Sequence, residues 1–186
     1  MDNQNILESV SRWVENLVIG LNLCPFARRE FENGRVRFAV SAANNGEQLL
    51  NDLGEEMRRL DEDASIETTL LIHPGVLTDF FEFNDFLDYT DRLLVQLDRD
   101  GVYQIASFHP DYQFAGTTAN DVSNYTNRSP FPILHLLRED SLDKALAGYP
   151  NPAKIPENNI ELMTTLGMDK VRILFQSCLI QSSPQT

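Results

Sequence analysis

The residues best suited to chemistry in this chain fall in a few short stretches. Two of its three histidines precede proline, in His73-Pro74-Gly75 and His109-Pro110-Asp111. Proline biases the residue before it toward extended backbone. Each His-Pro pair is therefore expected at a strand end, with the imidazole held in a fixed direction for proton transfer or metal ligation. The third histidine, His135, stands in Ile133-Leu134-His135-Leu136-Leu137. Cys24 precedes Pro25, which suits the first position of a short helix. A thiol at that cap, one turn from Arg28 and Arg29, would have its thiolate stabilised. Cys24 is thus a candidate nucleophile or metal ligand, with His109 or His135 as base. The plainer reading is a small buried side chain beside Leu23 and Phe26.

A polar segment runs from Tyr112 to Asn127 without clear periodicity. Structureless segments of that length inside compact domains are often functional. It ends in Asn124-Tyr125-Thr126-Asn127-Arg128-Ser129-Pro130. Ser129-Pro130 suits the start of a helix through Leu137, whose free N–H groups could hold an anion. Arg128 would add a forked donor. The expected catalytic set is Cys24, His109, Asp111 and His135, with Asp111 or another carboxylate orienting His109. The expected substrate-binding set is Tyr112, Asn124, Tyr125, Asn127, Arg128 and Ser129. Plainer roles remain open: Arg128 bridging loop carbonyls, the tyrosines packing the loop, His73 in a turn, His135 as a satisfied buried ring. His73, His109 and His135 form an alternative ligand set for a divalent metal, although no pair has HxH or HExxH spacing.

Positioning these residues requires an alternation of helix and strand. Ile6, Val10, Trp13 and Leu17 recur at helical spacing over about residues 5–19. Val36, Phe38 and Val40 alternate, predicting a strand over 35–41. Leu49, Leu53, Met57 and Leu60 mark a helix over 46–61, and Ile66 to Ile72 a second strand. Thr78 can cap a helix over 79–97, and Val102 to Phe108 makes a third strand. Short helices follow from Asp140 to Gly148 and from Pro156 to Leu166, the latter closed by Gly167. Residues 170–180 fit helix or strand equally. The order predicts an α/β fold. Its small, mainly parallel sheet would have three or more strands, crossover helices and a helical C-terminal part. A two-layer sheet with one antiparallel strand is the alternative. In a parallel sheet both His-Pro pairs would share the rim where ligands sit.

The chain has 186 residues, 42% of them apolar, with 28 acidic and 15 basic side chains and a net charge of −13. This suits one domain over 1–186, with 168–186 as a tail of uncertain structure. The charge argues against nonspecific nucleic-acid or anionic-membrane binding. No apolar run approaches a membrane span. Two cysteines, and an N-terminus without a signal-peptide pattern, lead to the expectation of a cytoplasmic protein. The stretch Asp79-Phe80-Phe81-Glu82-Phe83-Asn84-Asp85-Phe86 would pack a core on two sides or present a partner groove.

Taken together, five stretches resemble the bacterial domain-of-unknown-function family numbered 1415, over about residues 6–167. They are Leu21-Asn22-Leu23-Cys24-Pro25-Phe26-Ala27, Ile72-His73-Pro74-Gly75, Phe108-His109-Pro110-Asp111-Tyr112-Gln113-Phe114-Ala115-Gly116, Asn124-Tyr125-Thr126-Asn127-Arg128-Ser129-Pro130 and Leu134-His135-Leu136-Leu137-Arg138-Glu139. The resemblance implies no activity. The expectation from the residues is a small enzyme whose Cys/His/Arg pocket takes a small anionic molecule. The alternatives are a non-catalytic partner-binding module and a metal-binding protein.

Overall fold

Helix α1 (Asn3–Trp13) follows Asp2, whose carboxylate accepts from the Gln4 N–H, and runs on into a π-helical segment, Val14–Ile19. The wider turn is closed by Gly20 N–H to Glu15 O and Leu23 N–H to Val18 O. A Cβ at Gly20 would lie 2.2 Å from Asn16 O, so the turn requires glycine there. The remaining helices are α2 (Ala27–Glu32), α3 (Gly46–Glu62), α4 (Phe80–Gln96), α5 (Glu139–Ala147), α6 (Ile155–Leu166) and α7 (Met168–Cys178). The strands are β1 (Val36–Val40), β2 (Thr68–Ile72), β3 (Tyr103–Phe108) and β4 (Ile133–Arg138). This computed structural model describes residues 2–180.

The sheet order is β1-β2-β4-β3. Among the described residues only β1 and β2 pair in parallel; β4 runs antiparallel to both of its neighbours. The fold is thus mixed α/β, and the expectation of a mainly parallel sheet is corrected. The cause is one segment, 133–138, read as helix from the Ser129-Pro130 start. Its apolar run is covered on both faces, so it lacks the alternation that marks a half-exposed strand. No helix begins at Ser129, whose hydroxyl instead donates to Phe131 O at 2.6 Å.

Side chains alternate cleanly across the sheet. Val36, Phe38, Leu70, Ile72, Ile133 and Phe108 face α1, the π segment and α7. Ala39, Leu71, Leu134, Leu136, Tyr103 and Ile105 face α3 and α4. Every residue of β2 is buried. Register places His135 between Leu70 and Ala106, on the α1 face.

Other differences are local. The cap of α4 is Asp79, accepting from Phe81 and Glu82 N–H at 2.9 and 3.1 Å, rather than Thr78. Helix α2 starts at Ala27, so Cys24 lies before the cap. Residues 168–178 form a helix that buries Val171 and Cys178; the rest of the expected tail, 181–186, lies outside the described residues. Phe80, Phe83 and Phe86 are buried, whereas Phe81 is 70% exposed. Among the described residues no helix is long and apolar enough to cross a membrane.

Candidate functional site

On the α1 face the layers do not close completely. A cavity of about 270 Å³ remains, with Thr68 and Leu70 of β2, Ala106 and Phe108 of β3, and His135 and Leu137 of β4 as its floor. Trp13, Val14 and Val18 form one wall, the two valines coming from the π segment. Trp13 is held edge-on to Phe108, with ring centroids 5.2 Å apart. The opposite side is Cys24, Phe26 and α2, joined by Leu142 and Ala145 of α5. Neither α2 nor α5 buries a residue fully. Within that side, Phe26 before α2 and Tyr149 after α5 meet edge to face at 5.5 Å.

The sequence-selected pair in this cavity is Cys24 and His135. Thr68 fixes the imidazole. Its hydroxyl donates to Leu136 O at 2.5 Å and lies 2.7 Å from His135 Nε2. A hydroxyl has one proton, so Nε2 carries the proton of the second contact and donates to Thr68. Nδ1 is left with its lone pair and forms no hydrogen bond among the described residues. Burial pushes the His135 pKa down to about 4, which keeps the ring neutral. Burial also raises the Cys24 thiol, and the N–H groups of Phe26 and Ala27 offset that only in part. The resting pair is therefore a thiol and a neutral imidazole, not the thiolate that a helix cap would favour.

Two carboxylates line the same cavity, and one arginine holds both. Arg35 lies 3.1 Å from Glu30 Oε2 and 2.6 Å from Glu67 Oε2. Glu67 Oε1 is buried and has no partner among the described residues. Arg138 also lines the wall. Its guanidinium is spent on Leu60 O, at 2.5 Å, on Ile66 O and on the Tyr103 hydroxyl.

The other sequence-selected residues lie elsewhere. His73 and His109 are on the α4 face, 5.6 and 5.2 Å from the Phe83 ring. The backbone N–H of Asp111 donates to His109 Nδ1 at 3.0 Å, so Nε2 bears the proton and donates to Leu77 O. Asp111 thus orients the ring through its backbone, while its side chain is exposed. Burial lowers the pKa of both rings, that of His73 to about 4. The three histidines do not converge. Among the described residues no group of three or more His, Cys, Asp or Glu side chains could hold a metal ion.

The polar segment is organised by its own backbone. Asn124 accepts from Phe114 N–H and Thr117 and donates to Thr118 O. Asn127 donates to Ser107 O. Arg128 donates to Tyr112 O and Ala119 O and stacks over Tyr125 at 4.7 Å. Tyr125 packs edge-on against Phe175, and Tyr112 packs on Phe80 and Phe114. None of these side chains lines the cavity. A second, more open groove beside β1 has side chains engaged with one another: Arg37 is forked on Glu56 at 2.7 and 2.9 Å, and Ser41 donates to Asp52 at 2.5 Å.

Sequence reasoning missed Thr68, Glu67, Glu30 and Arg35. They are ordinary residues at strand and helix ends, and only their convergence makes them notable. A family model described as "Protein of unknown function (DUF1415)" matches residues 5–173. The chain belongs to this family. No curated protein and no solved structure matches it. The residues matched to DUF1415 include every cavity-lining side chain, from Trp13 to Ala145.

Proposed function

We propose that this DUF1415 protein binds a small, mainly apolar molecule in the cavity between the sheet and the α2/α5 side. The cavity itself carries the reading. Native interiors are packed to crystal density, with few voids larger than a water molecule. An engineered apolar cavity of about 150 Å³ in another protein accepts benzene, and this one is about 270 Å³. Its walls come from α1, the π segment, all four strands and both side helices, as expected of a ligand site built on a rigid frame. The anionic ligand expected from the sequence loses its support here, because Arg128 and Ser129 are engaged in their own loop.

A second reading, a thiol-dependent enzyme, is favoured by one observation: Cys24 and His135 line the same cavity. Their neutral resting state makes binding the better-supported function. Calorimetric titration with toluene tests the first reading. Saturable binding is expected in the wild type and loss of binding in Ala145→Phe, which fills the cavity from a helix without fully buried residues. Absence of toluene binding, or equal binding by the filled variant, would overturn it.

A further inference from the structure

Resting on the reading of this cavity as a ligand site, we infer that its ligand is a small organic cation: an aryl or alkyl ammonium whose charged head faces Glu67, Glu30 and His135. The basis is which polar groups remain free after the protein has satisfied itself. On the donor side little remains. The Thr68 hydroxyl is committed to Leu136 O. Arg138 is committed to the Leu60, Asp63 and Ile66 carbonyls and to the Tyr103 hydroxyl. Arg35 is committed to both carboxylates. The Cys24 thiol is a weak donor. On the acceptor side, His135 Nδ1 is bare and Glu67 Oε1 is without a partner among the described residues.

The charge balance points the same way. Two lining carboxylates share one guanidinium, that of Arg35. The other lining arginine, Arg138, carries its guanidinium to the α3 side, onto Leu60 O and the Tyr103 hydroxyl, where Asp61 and Asp63 oppose its charge. Arg29 also approaches Glu30, at 3.7 Å, but its side chain is 82% exposed, so water screens it. One negative charge is therefore left beside apolar walls, where an anion would be repelled and a cation held by charge-assisted hydrogen bonds. The apolar floor, with Trp13 and Phe108 at one side, fits the hydrocarbon part of such a molecule.

The test uses three probes with the same ring: benzylamine, toluene and benzoate, titrated calorimetrically into the full chain near neutral pH. The expected order is benzylamine tightest, by roughly tenfold over toluene as one charge-assisted hydrogen bond allows, with benzoate weakest. In Glu67→Gln the advantage of benzylamine should disappear while toluene binding persists. Glu30→Gln, on the more exposed partner, should reduce the same advantage and serves if the Glu67 variant does not fold. Equal binding of benzylamine and toluene, or preference for benzoate, would overturn the cation assignment while leaving the apolar cavity standing. Failure of all three probes to bind would overturn both.

Discussion

Two histidines held neutral by burial should make the fold acid-labile well above the range where carboxylates titrate. His73 and His135 each have a pKa near 4 in the folded chain, against about 6.5 for an unfolded histidine. The unfolded chain therefore binds more protons between those values. Stability is complete above about pH 7 and falls as pH drops through that window. Linkage gives about 2 kcal/mol lost per histidine at pH 5 and about 3 kcal/mol at pH 4. Both together cost about 4 and 6 kcal/mol, a large share of the roughly 5–15 kcal/mol that holds a domain folded. His109, also lowered by burial, adds in the same direction. Asp61, Asp63 and Asp121 are held below their ordinary values, so their losses come at lower pH. The assay is urea unfolding across a pH series. His135→Leu keeps the Thr68–Leu136 hydrogen bond and should remove about a third to a half of the slope between pH 6.5 and about 4.5, the rest coming from His73 and His109. A flat profile down to pH 5, or an unchanged slope in that variant, would refute the reasoning.

Other expectations follow from single contacts. Cys24, raised by burial, should alkylate slowly near neutral pH, with a midpoint above that of an ordinary thiol; rapid reaction there would contradict this. Arg128→Ala should lower stability by about 1–3 kcal/mol, through two lost carbonyl hydrogen bonds and the stacking on Tyr125. Toluene titration of that variant should match the wild type, and a large loss of binding would return Arg128 to the site. Tyr149→Ala removes one aromatic pair, worth about 0.5–1.5 kcal/mol. Amide exchange should quicken in α2 and α5 but not in β2, and uniform change across the sheet would count against a separable cover.

Much of the framework was legible in the residues. The periodicities of Ile6–Leu17 and Leu49–Leu60, and the alternation of Val36, Phe38 and Val40, gave α1, α3 and β1 within a few residues. The segment around His135 was not legible. A short apolar run flanked by Ser-Pro fits helix and buried strand alike, and tertiary pairing with β2 and β3 decided it. That one segment also determines the site. As a strand it places His135 on the α1 face beside Thr68, away from His73 and His109. Cys24 and His135 were both singled out by residue type. Their shared cavity, and the exclusion of Arg128 from it, depend on sheet order and on the self-satisfied hydrogen bonds of the polar loop, which no spacing in the chain encodes.

Imidazole nitrogen NMR of His135, recorded near neutral pH with and without toluene, probes the cavity most directly. The expected spectrum is that of the Nε2–H tautomer, with an unprotonated Nδ1 signal that shifts saturably as toluene is added. A ring protonated at Nδ1, or nitrogen shifts indifferent to toluene at saturating concentration, would contradict an open, ligand-binding cavity at this histidine.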